Sequence, residues 1–334
     1  MTKNISVPAR TFSKIAGLGV YRPSRIVTNE EICQNIDSSD EWIRERTGIT
    51  QRRFADADVT VVDMSVAAGE KAIADSGIAK ADIDAVIVAT ISYPFQTPSA
   101  AGLVADRLGL THPGAVDLSA ACAGFTYALG VADGWISTGQ AKNVLVVGVE
   151  KLSDWTDPND RGTAFIFADG AGAVVVAASD TPKISRTVWG SDGSEAEAII
   201  TLPDALSAAA LGADAPHPVL HMHGSKVFRW AVTEMVAVAQ QALDAAGLTA
   251  NDIQLFVPHQ ANNRITDAIL RGLNLPDSVA VARDIITSGN TSAASIPLAL
   301  DALREQGVAK SGDLALLIGF GAGLAYAAQV VQLP

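Results

Sequence analysis

The sequence predicts an α/β protein built from two duplicated halves, and two observations carry that reading. First, short apolar runs alternate with helix-period segments. The runs are "DAVIVAT" (84–90), "NVLVVGVE" (143–150), "GAVVVAA" (172–178), "QLFVPHQ" (254–260) and "LALLIGFGAG" (314–323), and between them lie stretches such as "AGEKAIADSGI", "SAAGLVADRLGL" and "ITDAILRGLNL". Strands apolar on both faces belong in a sheet covered by helices on both sides. Second, the chain resembles itself. "KAIADSGIAKADIDAVIVAT" (71–90) aligns without a gap on "QALDAAGLTANDIQLFVPHQ" (241–260), an offset of about 170 residues, and "ALGVADGWISTGQAKNVLVVGVE" aligns on "ALDALREQGVAKSGDLALLIGFG" with Gly148 on Gly319. The polar break "ASDTPKIS" (178–185), with Pro182, marks the join, giving halves 1–180 and 181–334.

Composition narrows the class. With 334 residues and 49% apolar side chains the chain has ample material for a core, which excludes disorder. A net charge of −12 argues against a nucleic-acid coat or a polybasic membrane surface, though a local basic rim around one pocket remains compatible with it. The opening "MTKNISVPARTF" has no apolar segment behind it and no run nears the roughly 18 residues of a membrane span, so a cytoplasmic location is expected. Two cysteines, Cys33 and Cys122, make no disulfide framework or CxxC pair. Cys33, in "NEEICQNI", reads as packing. His221 and His223 are expected to share a strand face near His217, but with no cysteine or carboxylate ligand close by no metal is assigned.

The elements in order place the chemistry. Cys122 follows the strand-like "GAVDLSAA" and precedes Phe125, Ala128, Leu129, Ala132 and Ile136, an amphipathic helical stripe, so it stands at a predicted helix start. The partial positive charge there favours a thiolate. Position alone fits a buried alanine-layer cysteine equally well. "ALSAAALGADAPHP" (205–218) reads as a loop or lid helix. His259 follows "QLFVP" and precedes a stripe of Ile265, Ala268, Ile269 and Leu273, while Asn290 lies before a helix with Ala293, Ile296, Leu300 and Leu303 on one face. Pro297 fits that helix only in its first turn or at a kink. Taken singly, His259 and Asn290 also suit capping or turn positions. Together, a Cys, a His and an Asn at strand-to-helix loops of duplicated halves supply a nucleophile and two neutral hydrogen-bond donors to one point. "GFGAG" (319–323) offers backbone N–H groups to an oxyanion; as a dinucleotide loop it lacks a following helix and an acidic partner.

Five ordered motifs, "SSDEWIRERTGI", "DLSAACAGF", "VPHQANNRI", "GNTSAASIPLAL" and "IGFGAGLAYA", closely resemble the β-ketoacyl-acyl-carrier-protein synthase III family, initiating condensing enzymes of the thiolase superfamily, over nearly the whole chain. The resemblance implies a thiolase-like αβαβα layered core and a homodimer. It implies that Cys122 accepts an acyl group from acyl-CoA, a substrate rather than a cofactor, none of which is expected. The acyl group then condenses with malonyl-acyl carrier protein, releasing carbon dioxide, with His259 and Asn290 on the enolate oxygen. By the same resemblance the N–H groups of Cys122 and Ala322 hold the acyl oxygen. Alanine stands at 322 where the family has glycine, which is tolerable unless that residue needs φ > 0. Trp42, Arg46 and Arg161 match the coenzyme A contacts, and Arg264, extended by Arg229, matches the carrier-protein contact. Elongating relatives have a second histidine at the place of Asn290, and thiolases a second cysteine near the C-terminus; this chain has neither.

"YPFQTPSA" matches the segment that closes the acyl pocket from the neighbouring subunit. Thr97 replaces a bulky aromatic of some members, leaving room for a branched or longer primer unless Phe95, Leu220 or the 205–218 segment refills it. The expected role is fatty acid initiation. A polyketide pathway with the same chemistry, an enzyme passing the acyl group to an ester or amide, and a non-catalytic scaffold are the alternatives.

Overall fold

Residues 10–211 and 215–334 are described by the computed structural model. The first half contains β1 (Phe12–Tyr21), β2 (Arg25–Thr28), α1 (Asn29–Ile32), α2 (Asp40–Thr47), β3 (Gln51–Phe54), α3 (Val61–Ser76), β4 (Ala85–Ala89), α4 (Ala100–Arg107), β5 (Gly114–Leu118), α5 (Gly124–Ser137), β6 (Asn143–Lys151) and β7 (Asp169–Ser179). The second contains β8 (Val188–Gly190), β9 (Ile199–Leu202), α6 (Ala205–Leu211), β10 (Val219–Met222), α7 (Gly224–Ala246), β11 (Leu255–Pro258), α8 (Asn263–Leu273), β12 (Ala280–Val281), α9 (Ile285–Ser288), α10 (Ser295–Glu305), β13 (Leu314–Phe320) and β14 (Tyr326–Gln332).

The two five-stranded sheets share one topology. One five-stranded sheet has the order β1-β7-β6-β4-β5 and the other β8-β14-β13-β11-β12, strand for strand the same arrangement. In each, three neighbouring strands at one side of the sheet are parallel, β6-β4-β5 and β13-β11-β12, and the other two pair antiparallel. Every residue of β4 is buried, as a strand covered on both faces requires.

Five layers result. Helices α3 and α4 cover the outer face of the first sheet, and α7 and α8 cover the outer face of the second. Between the sheets lie α5 and α10, whose Phe125, Leu129, Ile136, Ile296 and Leu300 join strands of both halves in one core. A helix buried between two sheets must be apolar nearly all round. That explains why α10 buries Ser295, Pro297 and Asp301 as well as its apolar stripe. Pro297 sits in the first turn of α10, where its missing N–H removes no helical hydrogen bond.

The two sheets approach so closely that glycine is required at matching places. A Cβ on Gly148 of β6 would stand 2.3 Å from the carbonyl oxygen of Ala293. A Cβ on Gly319 of β13 would stand 2.9 Å from Cα of Ala123 and 3.1 Å from the carbonyl oxygen of Cys122. Each central strand thus receives the turn that opens the other half's buried helix.

Three expectations are corrected or refined. The 205–218 stretch begins as α6, with Leu206 and Leu211 exposed; residues 212–214 lie outside the described residues, and 215–218 lead into β10. The β9–β10 ribbon on either side of it, paired from Ile199↔Met222 to Leu202↔Val219, is an element the sequence reading missed. His223 lies at the position before α7, beyond the end of β10, rather than sharing a strand face with His221, and His217 hydrogen-bonds through Nε2 with the Asp154 carbonyl at 2.7 Å. Among the described residues no cluster of three His, Cys, Asp or Glu side chains could hold a metal, and no helix is long and apolar enough to cross a membrane.

Gly148→Ala is expected to lower unfolding stability by roughly 1–3 kcal/mol, because the clash is with backbone. Gly134→Ala, in α5 with nothing within 4 Å of the added Cβ, is expected to raise it by about 0.5–1 kcal/mol. Urea unfolding midpoints of the two variants check this, and equal shifts of either sign contradict it.

Candidate active site

One cavity of about 620 Å³ collects residues from both halves. At its buried end stand Cys122, His259, Asn290 and Ala322, with Ser292, Phe320 and Gly321. At its exposed end stand Trp42, Arg46, Arg161 and Arg264. Its apolar flank includes Ile91, Leu152, Phe167, Ile199, Leu220 and Met222.

Cys122 lies in a 3₁₀ turn, Ala121–Ala123, between β5 and α5. Ala121 holds φ of +45°, a left-handed conformation that disfavours any side chain. Ser292, in the 3₁₀ turn Ser292–Ala294 before α10, holds φ of +47°. The two halves therefore make the same strained elbow, with Ala121 and Ser292 at the matching strained position and Cys122 following Ala121. Gly321 closes over the cysteine: a Cβ there would lie 2.8 Å from Cβ and 3.0 Å from Sγ of Cys122.

The thiol does not rest as the thiolate that a helix start suggests. Burial pushes Cys122 up to about 12, the nearby Glu150 carboxylate adds to the rise, and hydrogen bonding with Ser292 and its own backbone N–H opposes it without prevailing. The helix proper begins only at Gly124, beyond the 3₁₀ turn. Desolvation is the largest of these effects.

His259 follows β11, with its backbone N–H donated to the Ile318 carbonyl at 2.7 Å. Burial alone drives the imidazole down to about 3, so the ring is neutral. Nδ1 lies 2.7 Å from Ser295 Oγ, which also accepts from the Gln260 N–H at 3.3 Å. When Ser295 donates its proton to Nδ1, the neutral ring carries its own proton on Nε2. Phe320 meets the ring edge-on at 5.3 Å.

Asn290 bridges the halves through its backbone, donating to Ile166 O and accepting from Ala168 N, both at 2.9 Å. Its Oδ1 accepts from Ser292 N at 2.8 Å, which leaves the amide N–H groups as its donors. Ala322 has no positive φ; Gly323 (+72°) and Leu324 (+36°) take the left-handed turn, so alanine fits at 322.

At the exposed end the Arg161 and Arg46 guanidinium groups lie 5.0 Å and 5.6 Å from the Trp42 ring centre. Phe165 meets that ring edge-on at 5.4 Å, and Arg161 Nε donates to the Asp37 carbonyl. Arg264 lies over Phe228 at 5.2 Å. Arg229 is exposed on α7 and does not line the cavity; Thr97 and Phe95 are also exposed and away from it in this chain, whereas Leu220 is buried in its wall. Cys33 packs partly buried against the Val27, Ile32 and Ile43 cluster.

Sequence reading missed Ser292, Ser295, Gly321, Glu150 and Arg52. The first two lie inside the quoted "GNTSAAS", and Glu150 is the lone charge ending an apolar run. Arg52 is fully buried, donating to Val27 O, Asn29 Oδ1 and Phe165 O, and nothing local marks it as such.

Two family profiles match the chain: 3-oxoacyl-[acyl-carrier-protein] synthase III over residues 116–193, and the C-terminal region of the same synthase over residues 243–333. A β-ketoacyl-[acyl-carrier-protein] synthase III of Streptomyces glaucescens is 54% identical, covering 100% of both chains. The priming β-ketosynthase of the R1128 polyketide biosynthetic pathway superposes with a TM-score of 0.96 at 45% identity, covering 99% of each chain. The 3-oxoacyl-[acyl-carrier-protein] synthase III of Aquifex aeolicus superposes with a TM-score of 0.87 at 39% identity, covering 96% of this chain and 99% of that one.

Because burial holds the thiol near 12, the difference in thiolate absorbance near ~240 nm between the wild type and Cys122→Ser should stay flat from neutral pH to about pH 9. A thiolate step near neutral pH would contradict the burial argument.

Proposed function

The chain belongs to the β-ketoacyl-acyl-carrier-protein synthase III family of acyl-transferring condensing enzymes, and from that premise we propose how its residues divide the work. Acyl-CoA enters with its adenine end at Trp42, Arg46 and Arg161, where an indole between guanidinium groups suits an aromatic base bearing phosphates. Cys122 attacks the thioester carbonyl while the N–H groups of Cys122 and Ala322 receive the developing oxyanion, and coenzyme A leaves. Malonyl-acyl carrier protein then docks at the rim beside Arg264 and Arg229 and loses carbon dioxide. His259 Nε2–H and the Asn290 amide hold the resulting enolate oxygen, and the enolate carbon attacks the acyl-cysteine to give a β-ketoacyl-carrier protein. Each bond change is a polar step served by these groups and the two substrates, so no cofactor enters the scheme.

The observation that supports this reading most is the pairing of neutral groups at the buried end. A neutral imidazole with its proton on Nε2 donates to an enolate oxygen without discharging its proton onto it, as an imidazolium would. The apolar flank formed by Leu152, Ile199, Leu220 and Met222 supports an acyl chain beyond acetyl, so the primer is branched or longer. The likeness to the R1128 priming enzyme favours, as a second reading, a priming role in a polyketide pathway with the same chemistry.

A homodimer completes the pocket in this proposal. Among the described residues β5 ends its sheet with one edge unpaired, and Val116 on it, Leu103 on α4 and Phe95 are exposed. Thr97 of one chain then reaches the acyl pocket of the other. Sedimentation at micromolar concentration is expected to give a two-chain species; a monomer active in condensation would refute the shared pocket.

An acyl-CoA panel read by intact mass tests the rest. Cys122 should gain an acyl adduct, faster from isobutyryl- or longer acyl-CoA than from acetyl-CoA, and malonyl-carrier protein should discharge it with release of carbon dioxide. No adduct points to a scaffold, and an adduct that malonyl-carrier protein cannot discharge points to an ester or amide former. Comparing carrier proteins of fatty acid and polyketide pathways in the discharge step separates the two pathway readings. His259→Ala and Asn290→Ala should slow discharge by roughly 10²–10³-fold and loading far less. Trp42→Ala should raise the acyl-CoA concentration needed for half-maximal loading about tenfold.

A further inference from the structure

Glu150, at the end of β6, is fully buried and has no part in the scheme above. It is surrounded by donors. Ser92 Oγ donates to Oε2 at 2.6 Å, Thr90 Oγ1 to Oε2 at 3.2 Å, the Ile91 N–H to Oε2 at 3.1 Å and to Oε1 at 3.3 Å, and Ser292 Oγ to Oε1 at 3.1 Å. Lys151, its neighbour, turns away to Asp154 at 3.3 Å and to the Ala57 carbonyl, and Asp169 across the sheet is held by Ser153 and Ala55. From the β4 loop and the α10 elbow, the groups facing the carboxylate are the hydroxyls of Thr90, Ser92 and Ser292 and the Ile91 N–H; from the α5 elbow the titratable neighbour is Cys122. A buried carboxylate with no cation beside it is a standing cost to the fold.

Ser292 connects the two. Its proton is donated to Glu150, and its hydroxyl oxygen stands beside the Cys122 thiol in the same cavity. The Ser292 backbone N–H is fixed on Asn290 Oδ1, so this link is held in register with the site. The order of groups is sulfur, serine hydroxyl, carboxylate.

We propose that Glu150 is the proton reservoir of Cys122, acting through the Ser292 hydroxyl: it takes the thiol proton during acyl loading and returns it when condensation frees the sulfur. The inference rests on the reading that Cys122 is the acylated nucleophile. In loading, the S–H proton passes to Ser292 Oγ as the Ser292 proton passes to Glu150. The sulfur forms a bond to the acyl carbon, the bond from that carbon to the coenzyme A sulfur breaks, and coenzyme A leaves as a thiolate protonated by solvent. In condensation, carbon dioxide leaves malonyl-carrier protein, the enolate carbon bonds to the acyl carbon, the cysteine sulfur departs, and the Glu150 proton returns to it along the same path. One solvent proton is consumed per cycle, as the overall reaction requires.

Charge accounting favours this route. Moving the proton transfers one existing negative charge from carboxylate to sulfur and creates no second buried charge. Burial raises Glu150 to about 7 against the donors that favour its ionised form, so near neutral pH it can both accept and return a proton. His259, held down near 3, is a far weaker acceptor and is already committed as a neutral donor.

Rapid-quench intact mass measures loading between about pH 5 and about pH 10 for the wild type, Glu150→Gln, Glu150→Asp and Ser292→Ala. Since the ionised carboxylate is the acceptor, wild-type loading should fall as pH drops through about 7 and level off above it. Glu150→Gln should load about 10²-fold more slowly near neutral pH and keep rising with pH without a plateau. Glu150→Asp should restore the plateau at a lower rate. Ser292→Ala, which keeps the carboxylate and breaks the link, should match Glu150→Gln and decides the matter if the glutamine variant does not fold. Wild-type rate, or a uniformly lower rate with an unshifted pH profile, in either variant overturns the proposal. Failure of the wild type to acquire any adduct overturns the reading beneath it instead.

Discussion

The close approach of two glycines to two elbows is the constraint on which the rest of the structure depends. Gly148 leaves a notch in β6 for the elbow that carries Ser292, and Gly319 leaves one in β13 for the elbow that carries Cys122. Gly124 carries the same closeness to the axis between the halves: a Cβ there would meet Ala89 at 3.0 Å and Ala293 at 3.5 Å. Because each notch lies in the opposite half, neither elbow is supported by its own half alone. The unfavourable left-handed backbone at Ala121 and Ser292 persists because packing from the other half over-determines it. The alanines of "DLSAACAGF" and "GNTSAAS" follow from this geometry, since a larger side chain has nowhere to go where elbow meets strand.

Burial then sets the electrostatics. A site sealed between two sheets penalises every charge, which is why Cys122 and His259 rest neutral and why Glu150 titrates far above a solvent-exposed carboxylate. The same logic reaches Arg52, which burial lowers to about 10 while three acceptors hold it between β2, α1 and Phe165. Gly289, just before Asn290, lies so close to Arg52 that an added Cβ would stand 2.8 Å from the Arg52 Cβ, so the loop that presents the amide rests on the base of this side chain. Neutral donors, rather than charges, are what a dry cavity can keep aimed at a carbonyl oxygen.

Much of this was legible in the sequence, and the reasons differ by residue. The strands announced themselves because they are apolar on both faces, and the repeat announced itself because both halves retained helix-strand-strand-end spacing, Gly148 on Gly319 included. Cys122, His259 and Asn290 were legible as a set, since three chemically distinct residues at loop positions of a repeat are hard to assign to packing three times over. Thiol acidity was misread. The local signal is a helix start, whereas the largest effect is desolvation in a site that includes Gly321, a residue far from Cys122 in sequence. Glu150 and Ser292 were invisible for the same reason: their contact joins positions 142 apart in sequence. The β9–β10 ribbon escaped because two four-residue edge strands carry too few side chains to show a period.

That ribbon matters for the shape of the cavity. The reactive end of the cavity is built from the duplicated core, where Gly148, Gly319 and Gly321 leave no latitude. Ile199, Leu220 and Met222 come from the ribbon instead, a two-stranded element outside both sheets, and they meet Leu152 and Phe167 of the first half to form the apolar flank. Substitutions in the ribbon can reshape the space beside Cys122 without disturbing the elbows, because none of its side chains fills a notch between the halves. The two ends of the cavity are therefore built differently: the repeat holds Cys122, His259 and Asn290, and the segment between β8 and α7 adds side chains to the apolar flank beside them.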